Sequence, residues 1–170
     1  GTVKKTALAA YSNVRSNGIN AINIEDGDEL IDVQVCDDKS DIVLATSDGM
    51  SIRFHSGDVR EMGRVATGVK GVELEKGDHV IGMVVVRRDA TLLVVSEKGY
   101  GKRSELGDYR VQKRGGKGII TLKKTDKTGA IVALKEVLPK DELMMITRHG
   151  VIIRLPVGGI RVIGRNTQGV

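Results

Sequence analysis

An all-β fold assembled from repeated small sheets is what this sequence predicts, on three observations. Its apolar runs are rich in Val, Ile and Leu, and 22 glycines stand against two prolines. A glycine followed after three residues by a cation also recurs at intervals of 48, 50 and 51 residues. β-Branched runs punctuated by glycine are strand and turn chemistry. No long stretch keeps apolar residues three and four apart without a glycine or a charge, so the helical alternative fails. One short helical turn is expected, around residues 104–109.

The hairpins carry the repeat. Gly1-Thr-Val-Lys-Lys5-Thr, Gly49-Met-Ser-Ile-Arg53-Phe, Gly99-Tyr-Gly-Lys-Arg103-Ser and Gly150-Val-Ile-Ile-Arg154-Leu share one form. Ahead of the last three lie Ile42-Val-Leu-Ala-Thr46, Leu92-Leu-Val-Val-Ser96 and Leu143-Met-Met-Ile-Thr147, each an apolar run closed by a hydroxyl residue three positions before the glycine. An apolar strand, a tight glycine turn and a second strand make a hairpin. Gly49, Gly99 and Gly150 are therefore expected in matching turns.

A second piece repeats between the hairpins. Met62-Gly63-Arg64-Val-Ala-Thr-Gly68-Val69 has a near twin in Ile163-Gly164-Arg165-Asn-Thr-Gln-Gly169-Val170, and Gly68-Val-Lys-Gly71-Val72 matches Gly115-Gly-Lys-Gly118-Ile119. Ser16-Asn17-Gly18-Ile19 is a weaker copy. A period near fifty residues, with about four strand-like runs per unit, fits the blades of a propeller-like array better than a single sandwich. The 170 residues lie within the size of one domain, read as approximate units 1–48, 49–98 and 99–149 with a partial unit 150–170. About three blades make an incomplete ring, whose unpaired edges are expected to meet a second copy or a partner blade. The start at Gly1, already inside a repeat, reads as a fragment boundary.

Composition removes several function classes. A single cysteine, Cys36, permits no internal disulfide and no Cys-rich zinc site, and fits a reducing cytosol. His55, His79 and His149 are far apart and lack metal-ligand spacing. No apolar run approaches the length of a membrane span, and the N-terminus lacks the pattern of a signal peptide. Neither a Walker loop nor a Gly-x-Ser-x-Gly elbow occurs, so no catalytic residue is assigned. The eight acids of residues 25–41 do not follow EF-hand spacing and read as a solvated edge rather than a metal site. No cofactor is expected in this chain.

Charge distribution points to duplex nucleic acid. The net charge is only +5, but residues 98–124 hold nine cations against two acids, opposite in sign to residues 25–41. Within the basic region, Gln112-Lys113-Arg114-Gly115-Gly116-Lys117-Gly118 packs three cations and three glycines into seven residues. Glycine lets the backbone approach a ligand closely, and Lys and Arg neutralise phosphate with release of counterions. With Phe54, Tyr11, Tyr100 and Tyr109 as the only aromatics, there is no stacking platform for single strands. Duplex bent along a rim costs about 1–6 kcal/mol over 20 to 30 base pairs, so several phosphate contacts must act together. Little base specificity follows.

These residues resemble the C-terminal, DNA-wrapping domain of the DNA gyrase A protein. Residues 112–118 look like the seven-residue gyrase box at all seven positions, and the Gly-x-x-x-cation hairpins and Gly-Arg pieces resemble that domain's blades across essentially the whole chain. The resemblance implies a β-pinwheel, a disc whose blades partly exchange strands, serving ATP-dependent negative supercoiling. It implies double-stranded DNA as ligand. It also implies the N-terminal domains of the gyrase A protein and the gyrase B protein as partners in an A2B2 holoenzyme, and a bacterial, nucleoid-associated, cytoplasmic setting. The ATPase and the cleaving tyrosine belong to other domains or subunits. The expected DNA contacts are Gln112, Lys113, Arg114, Gly115, Gly116, Lys117 and Gly118, with Lys102 and Arg103 adjacent and Lys5, Arg53 and Arg154 at equivalent repeat positions. Two features depart from the family pattern: about three blades instead of about six, and a box in a later repeat instead of the first. The alternatives are a protein-interaction propeller docking through its acidic stretch and the related topoisomerase IV domain.

Overall fold

The computed structural model describes residues 1–87 and 89–170. Strand β1 (Thr2–Val3) leads to a 3-10 turn at Leu8–Tyr11. The hairpin of β2 (Asp41–Thr46) and β3 (Met50–His55) continues through a 3-10 turn at Ser56–Asp58 to β4 (Val69–Lys70) and β5 (Val80–Val86). The series repeats as β6 (Thr91–Ser96), β7 (Gly101–Glu105), a turn at Leu106–Asp108, β8 (Ile119–Ile120) and β9 (Ile131–Val137). A third hairpin, β10 (Glu142–Ile146) and β11 (Ile152–Pro156), ends in a turn at Val157–Gly159. The helical turn expected near residues 104–109 is one of these repeated 3-10 turns.

Each hairpin closes on the expected glycine. Gly49, Gly99 and Gly150 have φ of 95°, 84° and 83°, a region that L side chains enter only under strain. Their amides donate to Thr46, Ser96 and Thr147 carbonyls at 3.1, 3.0 and 2.9 Å. The three turns are one structure used three times.

Strand exchange joins the repeats. The antiparallel order β5-β2-β3-β8 places β8, from the following repeat, on the free edge of the β2–β3 hairpin. The same exchange lays β4 against β1, with Thr2 opposite Lys70. It also sets Gly101 and Val170 in reciprocal backbone hydrogen bonds of 2.9 and 3.0 Å. A unit that starts at Gly49, Gly99 or Gly150 therefore cuts a hairpin at its turn, and the β5-β2-β3-β8 sheet draws strands from both sides of Gly99.

Strand β2 lies between two cores. Val43 and Ala45 face Leu92, Val94, Tyr109, Leu122 and Ile131, while Ile42 and Leu44 face Ile52, Phe54, Val59, Val72 and Val85. Burial on both faces is why the inner strands read as unbroken apolar runs. β6 repeats the arrangement, with Leu93 packed on Val137 and Val157. β10 does not: Met144 and Ile146 are 60% and 66% exposed, because no described strand covers that face. The first repeat also has fewer strands than expected. β5 and β9 pair with the first strands of their hairpins, β2 and β6. Residues 30–35 hold the same place in sequence, but β1 has no described hairpin partner ahead of it, and they form no strand.

Candidate nucleic-acid interface

The cation four residues after each hairpin glycine reaches toward the 3-10 turn of the next repeat. Lys5 Nζ donates to Ser56 O at 3.1 Å and meets Asp38 Oδ1 at 3.0 Å. Arg53 Nη1 donates to Leu106 O at 2.9 Å and Tyr109 O at 3.3 Å, and its Nε donates to Asp41 Oδ2 at 2.9 Å. Arg103 Nε donates to Ile160 O at 2.9 Å, and the residue is 5% exposed. Ser56 O and Leu106 O already accept the amides of Val59 and Tyr109 at 3.1 Å, so the cations take up the second lone pair of each carbonyl, and a guanidinium with five donors can serve several such carbonyls at once. Backbone bonds run alongside: the amides of Met62, Gln112 and Ile163 donate to the carbonyls of Lys5, Arg53 and Arg103 at 2.8, 2.9 and 2.9 Å. Lys5, Arg53 and Arg103 are thus struts between repeats; burial takes Arg103 out of reach of DNA, against expectation, while Lys5 and Arg53 keep 22% and 18% of their side chains exposed. Arg154, at the fourth such position, is exposed and pairs with Glu142.

Residues 112–118 cross from the Leu106–Asp108 turn to β8. Arg114 Nε donates to Asp58 O at 2.8 Å and its Nη1 to Lys70 O at 2.9 Å. One repeat further on, Arg165 makes the same pair of bonds to Asp108 O and Ile120 O at 3.1 and 2.9 Å. Arg114 therefore anchors the loop to the preceding repeat. Gly118, with φ of 78°, lies so close to β3 that a Cβ would stand 2.1 Å from Ser51 O. Gln112 is half-buried beneath the loop, and Gly115 takes φ of 83° beside Lys70 O. Two cations are left facing solvent. Lys117 Nζ lies 2.8 Å from Glu75 Oε1, the side chains being 65% and 70% exposed. The Glu75 carboxylate raises the Lys117 pKa, yet a pair so exposed holds Lys117 weakly. Lys113 is exposed and makes no side-chain bond among the described residues.

The sister loops are held by a lysine that this loop lacks. Lys4 Nζ donates to Ala21 O at 2.6 Å and to Arg64 O. Fully buried Lys102 donates to Gly164 O at 2.8 Å, to Thr167 Oγ1 at 3.0 Å and to Arg165 O. Lys102 is thus an internal clamp rather than a DNA contact. At the equivalent place, just ahead of Arg53, stands apolar Ile52, with its Cδ1 3.9 Å from the Cβ position of Gly116. The sequence reading missed this alternation of Lys4, Ile52 and Lys102. Its signal was present, since all three precede a repeat cation.

Burial, reinforced by the Arg165 guanidinium and opposed by Asp108, pushes Lys102 down from 10.5 to about 8. Between those two values the unfolded chain keeps a proton that the folded chain has released. The Lys102 contribution to stability therefore rises with pH across that window. Comparing unfolding free energies of wild type and Lys102→Met from pH 6 to 11 should give a difference that is flat below about pH 8 and then grows in favour of wild type. A difference independent of pH would mean that Lys102 titrates normally.

The acidic run is partly committed to internal contacts. Asp38 and Asp41 pair with Lys5 and Arg53. The Ser40 hydroxyl, donating to Asp37 Oδ1 at 2.7 Å, holds the Asp37 carboxyl below its usual range. Phe54 and Tyr109 are buried, and the Tyr109 hydroxyl meets Thr121 Oγ1 at 2.6 Å.

A family model described as the DNA gyrase C-terminal domain, beta-propeller, matches residues 1–37, 40–87, 90–137 and 141–170. The chain belongs to this family. The DNA gyrase A protein of Clostridium acetobutylicum is 51% identical over 170 residues, which are 100% of this chain and 20% of that protein. This gyrase-type domain also superposes on the C-terminal domain of DNA topoisomerase IV with a TM-score of 0.95 and 26% identity, covering 100% of this chain and 54% of the other. On the DNA gyrase A C-terminal domain the TM-score is 0.84 with 28% identity, covering 91% and 53%. The gyrase-type domain thus spans about a fifth of its curated relative and about half of each solved domain. The two topoisomerases share the fold, so it is the family match and the sequence identity that place the chain with gyrase.

Proposed function

We propose that this gyrase-type domain binds duplex DNA with little base specificity and bends it across the face that carries residues 112–118. In this reading it is the wrapping module of a type II topoisomerase and serves ATP-dependent negative supercoiling. It has no catalytic residue or cofactor of its own; cleavage and ATP hydrolysis lie in the rest of the gyrase A protein and in the gyrase B protein of an A2B2 enzyme. Its setting is the bacterial cytoplasm, on the nucleoid. One observation carries the reading. Lys113 and Lys117 reach solvent from a loop whose backbone is pinned by Arg114 and by the close approach of Gly118 to β3. Such pre-positioned cations meet a phosphate backbone at low ordering cost. Burial of Phe54 and Tyr109 leaves no aromatic row for single strands, and the internal pairing of Asp38 and Asp41 weakens the acidic run as a docking patch. Fluorescence titration of two unrelated duplexes at several salt concentrations tests the proposal. Similar affinities that fall steeply with salt are expected. Tight binding to one duplex only, or no salt dependence, would overturn it.

A further inference from the structure

The struts that hold the repeats together leave another set of cations free. Arg60, Arg110 and Arg161 each stand eleven residues after a hairpin glycine, at one position of three successive repeats. Each directly follows the residue that caps a 3-10 turn, namely Val59, Tyr109 and Ile160. Val59 and Tyr109 are buried and Ile160 packs against the group formed by Leu93, Val137 and Val157, while all three arginines are exposed. Each directly precedes the residue that bridges in parallel to a strut, Glu61 to Lys5, Val111 to Arg53 and Val162 to Arg103. The three backbones are therefore fixed by the same contacts. None of the three guanidiniums donates to a carbonyl or carboxylate among the described residues. Arg53, Arg103, Arg114 and Arg165, by contrast, all spend theirs on internal acceptors.

We propose that Arg60, Arg110 and Arg161 form a row of phosphate contacts, one per repeat, along which the duplex tracks from blade to blade past Lys113. This rests on the duplex-binding reading above. An unpartnered guanidinium on a fixed backbone can meet a phosphate oxygen with two parallel donors and gives up no internal bond in doing so. The local field grades the row. Arg60 lies between Asp58 and Glu61, Arg110 is near Asp108, and Arg161 has no acid within three residues. Arg161 and Arg110 should therefore contribute more than Arg60.

The test compares wild type, the triple variant Arg60→Ala/Arg110→Ala/Arg161→Ala, and the triple Arg→Lys variant on one 30-base-pair duplex across a salt series. Wild type should bind with a steep slope. The Ala variant should lose roughly 0.9 of log-log slope per contact, or about 2.7 in all. The Lys variant should recover most of that, with thermal unfolding unchanged in both. Wild-type binding with an Ala variant of the same slope would overturn the row while leaving the duplex reading in place. Loss of folding in the Ala variant would assign the arginines to structure and overturn the row as well. Wild type that fails to bind at low salt would remove both.

Discussion

Replacing Gly118 by Ala should destabilise the domain by about 3–5 kcal/mol, the sum of a strained positive φ and an overpacked contact. The added Cβ would sit 2.1 Å from Ser51 O at a φ of 78°. That oxygen belongs to β3, whose Ser51 and Met50 pair with Ile119 and Ile120 of β8, so neither chain can retreat without breaking the exchange. The sister glycines show the same constraint, with Cβ positions 2.5 Å from Val3 O at Gly68 and 2.9 Å from Gly101 O at Gly169. Gly116→Ala is the internal control. The nearest atoms lie 3.9 Å from its Cβ position and its φ is not positive, so its change should stay within about 1 kcal/mol of zero. Denaturant unfolding of the two variants checks the contrast. Equal stability would mean that the last glycine of the loop is not needed for close approach to β3.

The double variant Lys113→Ala/Lys117→Ala should fold normally and bind duplex with a slope shallower by about 1.8, from roughly 0.9 per lost phosphate contact. Both side chains are exposed, and the Lys117–Glu75 pair is too solvated to matter for stability. Arg114→Ala should behave in the opposite way. Its bonds to Asp58 O and Lys70 O are structural, so unfolding should respond more than the salt slope does. In an assembled gyrase the lysine variant should impair negative supercoiling and spare relaxation and cleavage. Equal loss of all three activities would remove the wrapping assignment.

Local features were legible in the sequence and non-local ones were not. The glycine turns at 49, 99 and 150 were readable because a tight turn and its flanking apolar runs are contiguous. The loop at 112–118 stood out because cations and glycines rarely concentrate so densely. Periodicity did not reveal strand exchange, since a fifty-residue period is the same whether β8 joins its own hairpin or the preceding one; only the family resemblance implied it. The fate of the repeat cations was hidden for the same reason. Arg53 looks like a strand-closing surface charge until the turn at Leu106–Asp108 is brought against it, and Lys102 looks solvated until the next loop folds over it. Arg60, Arg110 and Arg161 were visible as a repeat, but they stand seven residues beyond the cations on which the repeats were aligned.

Ligation of a nicked circular plasmid in the presence of this domain, followed by removal of protein and measurement of linking number, tests the central claim most directly. Wrapping in a fixed hand predicts a shift of one sign that grows with protein, reaches a plateau, and shrinks in the Lys113→Ala/Lys117→Ala variant. Saturated binding with an unchanged linking-number distribution would show that the domain holds duplex DNA without wrapping it, and would contradict the account.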